Sequence, residues 1–176
     1  AALALRVDYE ILPAILTIAE AKHNTHIKVN EHAKVGNITK EVNLSFGDVD
    51  ELMAQADVVL KEDFFFHNTT HAPIEPHAAI ADVSPLGLLT VYSSTQVPHY
   101  LHRALAEVLR LPAHQIRVIQ PAVGGAFGGK SEPFDLEFVC ALAAIRLKKP
   151  VKILYTREEV FLAHRGRHPM AIHLSM

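Results

Sequence analysis

Cysteine occurs once in the 176 residues, and tryptophan not at all. One thiol, Cys140, excludes an internal disulfide framework and suits a reducing compartment, so the cytoplasm is the expected location. No apolar run approaches the roughly 20 residues that a membrane span requires, and no secretory signal is visible. Charge of either sign is not in excess: Lys and Arg number 17 against 19 Asp and Glu, a net charge of -2. The cations are scattered, which argues against nucleic acid or an anionic membrane as partner. Repeats and low-complexity tracts are missing, and so is an initiator Met. The last residues, "MAIHLSM", alternate like a strand with no cap after them. The chain therefore reads as a piece of a longer polypeptide, because a bare strand end would want a partner.

What is there is globular: 49% hydrophobic and 20% charged residues, enough for one ordinary domain or two small ones. "LALRVDYEIL" alternates as a strand and stops at Pro13. "AILTIAEA" is too short to assign, and Lys22 to Gly47 reads as a long polar surface excursion. A helix follows in "GDVDELMAQA" with Asp48 as N-cap, then a strand in "DVVLKEDFFFH". "HAAIADVSPLGLLTVYSST" reads as two strands around the turn Ser84–Gly87. Helices are expected in "VPHYLHRALAEVLRL", with Pro98 in its first turn, and in "PFDLEFVCALAAIRL", which would bury Cys140 as a packing thiol. Strands "HQIRVIQPAV", "PVKILYT" and "HPMAIHLSM" and a short helix "REEVFLAHR" complete the pattern. The fold class is α+β, a mixed sheet with packed helices. Residues 1–47 form a connector and opening strand, and residues 48–176 an α/β core.

Gly124 to Ser131, "GGAFGGKS", satisfies G-x-x-x-x-G-K-[ST], the spelling of a phosphate-cradling loop. Its setting between a strand and a helix start also fits an anion site. Three features oppose a nucleotide triphosphatase. No apolar run ending in Asp follows to hold magnesium, too little chain remains for the usual nucleotide domain, and Glu132, Asp135 and Glu137 crowd the helix start with negative charge. The plain alternative is a tight turn that packs a helix close to a sheet. Four glycines around one Phe exceed what a turn needs, and favour a ligand approaching the backbone closely.

"YSSTQVPHYLHRAL" and "VGGAFGGKS", separated by a strand, resemble the molybdopterin-binding subunit of the xanthine dehydrogenase/aldehyde oxidase family. "KPVKILYTREE", "GRHP", "GDVDELMAQADVVL" and "IEPHAAIA" match further blocks in the same order. The ending "GGKS" and the Ser-Ser-Thr-Gln block look closest to 4-hydroxybenzoyl-CoA reductase-type large subunits. The resemblance implies that Gln96 donates an amide hydrogen bond to an oxo ligand of molybdenum. It implies that Gly124, Gly125, Ala126, Phe127 and Gly128 form the loop lying against the pterin, with backbone N–H groups as donors and Phe127 lining the substrate approach. Read alone, Gln96 would be a strand-end residue capping the next helix. Arg167 of the "GRHP" turn is taken as structural. The implied cofactor is molybdopterin, with a cytosine dinucleotide form as one possibility, and iron–sulfur clusters and FAD are implied on partner domains or subunits.

One departure bears on the substrate. In xanthine-oxidising members a glutamate follows the loop lysine; here Ser131 stands there and Glu132 comes one residue later. Xanthine is therefore disfavoured against other aromatic or aldehyde substrates. The catalytic glutamate of the family is expected outside this chain, so the 176 residues alone should be inactive. Twelve histidines raise a metal site at His67, His71 and His77 beside Glu75, but nothing in the spacing makes them converge, and no metal ligand is assigned. The competing non-enzyme reading is a scaffold or assembly piece in which the glycine loop only packs.

Overall fold

The computed structural model describes residues 6–33 and 35–176, and they fall into two compact units, one up to His67 together with Pro169–Met176, the other Asn68–His168. The first unit holds helices α1 (Ile18–His23) and α2 (Val49–Gln55) and a ribbon of strands β1 (Lys61–Phe66) and β8 (Met170–Ser175). The ribbon is antiparallel, in register from Lys61↔Ser175 to Phe66↔Met170. Helix α2 starts where expected: the Asp48 carboxylate accepts the Glu51 N–H at 3.0 Å. Helix α1 is short but has a reciprocal cap, Thr17 Oγ1 accepting from Glu20 N–H and the Glu20 carboxylate from Thr17 N–H.

The polar excursion has one organising residue, Asn37. Its Nδ2 donates to the carbonyls of Ala21, Asn24 and Ile27, and its Oδ1 accepts from Val29 N–H. Among the described residues the expected opening strand is not formed. Residues 3–5 lie outside the described residues, and residues 6–12 have no regular secondary structure. Val7, Tyr9 and Ile11 stay 60%, 85% and 94% exposed. An alternating pattern makes a strand only where a neighbour takes its backbone hydrogen bonds.

The second unit is built on a four-stranded sheet of order β5-β4-β3-β6, with β3 (Ala78–Val83), β4 (Leu89–Ser93), β5 (Ile116–Ile119) and β6 (Val151–Leu154). Strands β3 and β4 form the expected hairpin, and β6 pairs antiparallel with β3. Strand β5 runs parallel to β4 after helix α3 (Pro98–Leu109), while α4 (Asp135–Leu147) connects towards β6. Both helices pack on the sheet, burying Ala79 and Ala81 of β3, Leu89 and Val91 of β4, Leu101 and Leu105 of α3 and Cys140, Ala141 and Ala144 of α4. Alternation explains the strands: Ala79 and Ala81 point in while Ile80 and Asp82 point out. Small residues face each other across α4 and β3, so helix and strand can approach closely. The Cys140 thiol is wholly buried, 3.1 Å from the Val151 carbonyl, and burial raises its pKa above the ordinary thiol value. It is the packing thiol the sequence suggested.

Pro98 is in the first turn of α3, and Arg110 and Lys148 close α3 and α4 in the left-handed conformation. Helix α5 (Arg157–Ala163) is capped reciprocally by Thr156 and Glu159. A two-rung ladder of β2 (Thr69–Thr70) and β7 (Gly166–Arg167) completes the unit. Among the described residues no helix is long and apolar enough to cross a membrane.

Candidate functional site

Strand β4 delivers the first component. Ser93, Ser94 and Thr95 are buried at its end, and the next residue, Gln96, is exposed just before α3. Thr95 Oγ1 accepts from Val97 N–H at 3.1 Å, which turns the chain into the helix. Gln96 does not cap that helix with its side chain, as its bland reading required. Its Oε1 accepts from the backbone N–H groups of Gly128, at 3.1 Å, and Lys130, at 3.2 Å. The Gln96 N–H in turn donates to the Lys130 carbonyl at 2.8 Å. With Oε1 committed twice, the amide Nε2 is left as a fixed donor.

The loop itself is the second component. Gly125 and Gly128 take φ of +100° and +91°, conformations that side chains resist. Phe127 adopts φ of +54°, unusual for an aromatic residue, and leaves its side chain 74% exposed. Gly129 N–H closes on the Ala126 carbonyl at 2.8 Å. Gly124 N–H is taken by the Glu75 carboxylate and Gly128 N–H by Gln96. Between them, the N–H groups of Gly125, Ala126 and Phe127 have no hydrogen-bond partner among the described residues. A run of free amides with an added side-chain amide donor suits an electron-rich oxygen or anionic ligand.

The phosphate-loop spelling fails on geometry. Lys130 points inward with its side chain 1% exposed, its Nζ 2.6 Å from Glu75 Oε2. The Ser131 hydroxyl donates to the Gly128 carbonyl. The two residues that would meet phosphate and magnesium are thus committed to the loop's own structure.

Sequence reading missed the roles of Glu75, Lys130, Arg157 and His164. Arg157 Nη2 donates to the carbonyls of Pro73, at 2.6 Å, and Ile74, at 3.0 Å, steadying the segment that carries Glu75. The only sequence signals were a lone lysine in a glycine run and a lone acid between Ile74 and Pro76. Burial works to raise the Glu75 pKa, but hydrogen bonds from Lys130 and Gly124 prevail and hold it below the ordinary carboxylate value.

The histidines sort differently from the metal idea. His71 Nδ1 lies 2.9 Å from His164 Nε2, and His77 packs against Phe134 and His164 at ring separations of 4.4 and 5.1 Å. His77 is 2% exposed, and neither ring nitrogen has a partner among the described residues. Burial first, then the neighbouring His164, depresses its pKa to about 4, so it is neutral at pH 7. His164 is depressed for the same leading reason, with His71 next. His67 falls in the first unit. Among the described residues no group of three or more His, Cys, Asp or Glu side chains could hold a metal ion. Arg167 sits in the β2–β7 ladder opposite Thr69.

A family model described as "Molybdopterin cofactor-binding domain" matches residues 29–176. The chain is 37% identical over 170 residues to the nicotinate dehydrogenase large molybdopterin subunit of Eubacterium barkeri, covering 97% of this chain and 39% of that protein. It is 33% identical over 160 residues to an indole-3-acetaldehyde oxidase of Zea mays, covering 90% of this chain and 11% of that one. Among solved structures, quinoline 2-oxidoreductase from Pseudomonas putida 86 superposes with a TM-score of 0.87 at 25% identity, over 99% of this chain and 22% of that chain. The chain therefore spans well under half the length of each of these relatives.

Proposed function

The chain belongs to the molybdopterin cofactor-binding family, and from that premise we propose that Gln96 and the loop Gly124–Gly128 bind a molybdenum cofactor within a larger oxidoreductase subunit. The observation that carries this reading is the double tie of Gln96 Oε1 to Gly128 and Lys130. It fixes the amide so that its N–H end is left to present, on the same loop whose Gly125, Ala126 and Phe127 N–H groups have no partner among the described residues. Such donors fit a cofactor whose metal and pterin carry oxygen acceptors, and they bring no charged ligand of their own. Bound, the molybdenum cofactor supplies two-electron redox chemistry. The chain's own part would be to orient it: the Gln96 amide and the loop backbone would hold its oxygens by donating hydrogen bonds, and exposed Phe127 would offer an apolar face to a planar substrate.

The substrate class in this proposal is a heteroaromatic ring or an aldehyde. It rests on the relatives named for nicotinate, indole-3-acetaldehyde and quinoline, and on Ser131 in place of a loop glutamate. A second reading, reductive dehydroxylation in the manner of 4-hydroxybenzoyl-CoA reductases, rests on the Ser-Ser-Thr-Gln and "GGKS" spellings. Electrons would pass to iron–sulfur and FAD groups on partner domains or subunits in a cytoplasmic enzyme. Whether the pterin carries a cytosine dinucleotide is part of the same test. The natural polypeptide carrying these residues is purified, and its molybdenum and released pterin are quantified. One molybdenum per polypeptide, lowered by Phe127→Asp at the loop, is the expected result. A folded wild-type polypeptide without molybdenum overturns the proposal.

A further inference from the structure

The ion pair of buried Lys130 and half-buried Glu75 has a geometry that packing alone does not require. One carboxylate oxygen, Glu75 Oε2, accepts from Gly124 N–H at 3.0 Å and from Lys130 Nζ at 2.6 Å. Gly124 opens the loop and Lys130 ends it. The Glu75 N–H also reaches the Gly124 carbonyl at 3.4 Å. Lys130 is tied again by its backbone, its N–H donating to Gln96 Oε1 and its carbonyl accepting from Gln96 N–H. A lysine so enclosed gains its charge compensation from that one acid, because burying an unpaired ammonium is costly.

We infer that Glu75 and Lys130 are positioning residues that set the loop for its ligand: a single carboxylate oxygen joins the two loop ends and, through Lys130, the Gln96 amide. Neither side chain touches the ligand in this scheme. They hold the free donors of Gly125–Phe127 and the Gln96 N–H in one arrangement. The inference rests on the cofactor reading above for what the loop binds, but not for how the loop is held.

The test uses Glu75→Ala, Glu75→Gln and Lys130→Met in the natural polypeptide, with hydrogen exchange, molybdenum content and steady-state kinetics measured together. Glu75→Ala is expected to speed exchange of the peptide 120–134 about tenfold while the α4 peptide stays as in wild type. Molybdenum retention is expected to fall about tenfold with it. Glu75→Gln, whose amide oxygen can accept from both loop ends but cannot balance the Lys130 charge, is expected to recover part of both readouts and to fall between Glu75→Ala and wild type. In the fraction of Glu75→Ala protein that retains cofactor, kcat is expected to fall with KM unchanged, since the donors and not the substrate pocket are displaced. Should Glu75→Ala fail to accumulate folded, Lys130→Met, which keeps an apolar stem in the buried slot, decides on the same measurements. Unaltered loop exchange overturns the inference, as does an opened loop with full molybdenum retention or a Gln variant as defective as Ala. Absence of molybdenum from the wild type sinks the proposed function instead, and the exchange comparison still decides whether the tie holds the loop.

Discussion

The carboxamide oxygen of Gln96 lies 3.1 Å from the backbone nitrogen of Gly128, 32 residues further along the chain. This contact joins the end of strand β4 to the glycine loop and settles which end of the amide is presented. Gln96→Glu keeps an acceptor for Gly128 and Lys130 but deletes the donor. It should leave the loop ordered and lower kcat by about a hundredfold, the usual loss on removing one aligned donor. Gln96→Ala should show the same loss with a melting temperature within about 3 °C of wild type, since the site is exposed and water can replace the lost acceptor. Turnover that survives both substitutions would remove Gln96 from the site.

His77 makes stability depend on pH. Its pKa is depressed to about 4 in the folded protein, so between about 6.5 and 4 the unfolded chain binds a proton that the native one does not. Stability is therefore full above about pH 6.5 and is lost as pH falls towards 4, by about 2–3 kcal/mol from this residue. His164, depressed as well, acts with the same sign. Denaturant titrations from pH 7 to pH 4.5 should show the decline, and His77→Phe should flatten it. An equal slope in that variant would exclude His77 as its source.

Glu137 ties α4 to the sheet from a buried position. Its carboxylate accepts from Ser93 Oγ at 2.8 Å and from Phe134 N–H at 2.7 Å, while burial raises its pKa above the ordinary carboxylate value. Glu137→Gln preserves both bonds, because the serine hydroxyl can reverse its role, and should cost less than about 1 kcal/mol. Glu137→Leu leaves two buried polar groups without partners and should cost about 2–4 kcal/mol. Chemical denaturation of the pair measures the difference; similar values would mean that packing, and not hydrogen bonding, sets the residue.

A Cβ added to Gly129 would overlap the His164 imidazole. Gly129→Ala should therefore displace that ring, break its contact with His71, and destabilise by about 1–3 kcal/mol. His164→Ala in the same chain should recover part of that loss. Simple additivity in the double mutant would show that the ring is not the obstacle.

Local chemistry was the legible part. Helix starts were marked by Asp48 and Pro98, the β3–β4 hairpin by its Pro-Leu-Gly turn, and the burial of Cys140 by the apolar helical pattern around it. What stayed hidden depends on distance along the chain. Glu75 meets Lys130 across 55 residues and His71 meets His164 across 93, and neither pair has a spacing that periodicity could reveal. The described part of "LALRVDYEIL", residues 6–12, shows the opposite case, a good local pattern without a neighbouring strand among the described residues.

The ladder Thr69↔Arg167 and Thr70↔Gly166 has a practical consequence. The two ends of the unit Asn68–His168 are held beside each other by backbone hydrogen bonds of its own. Such a body behaves as a cassette. Ends that already lie side by side are the arrangement that tolerates grafting into another hairpin or joining end to end and reopening elsewhere.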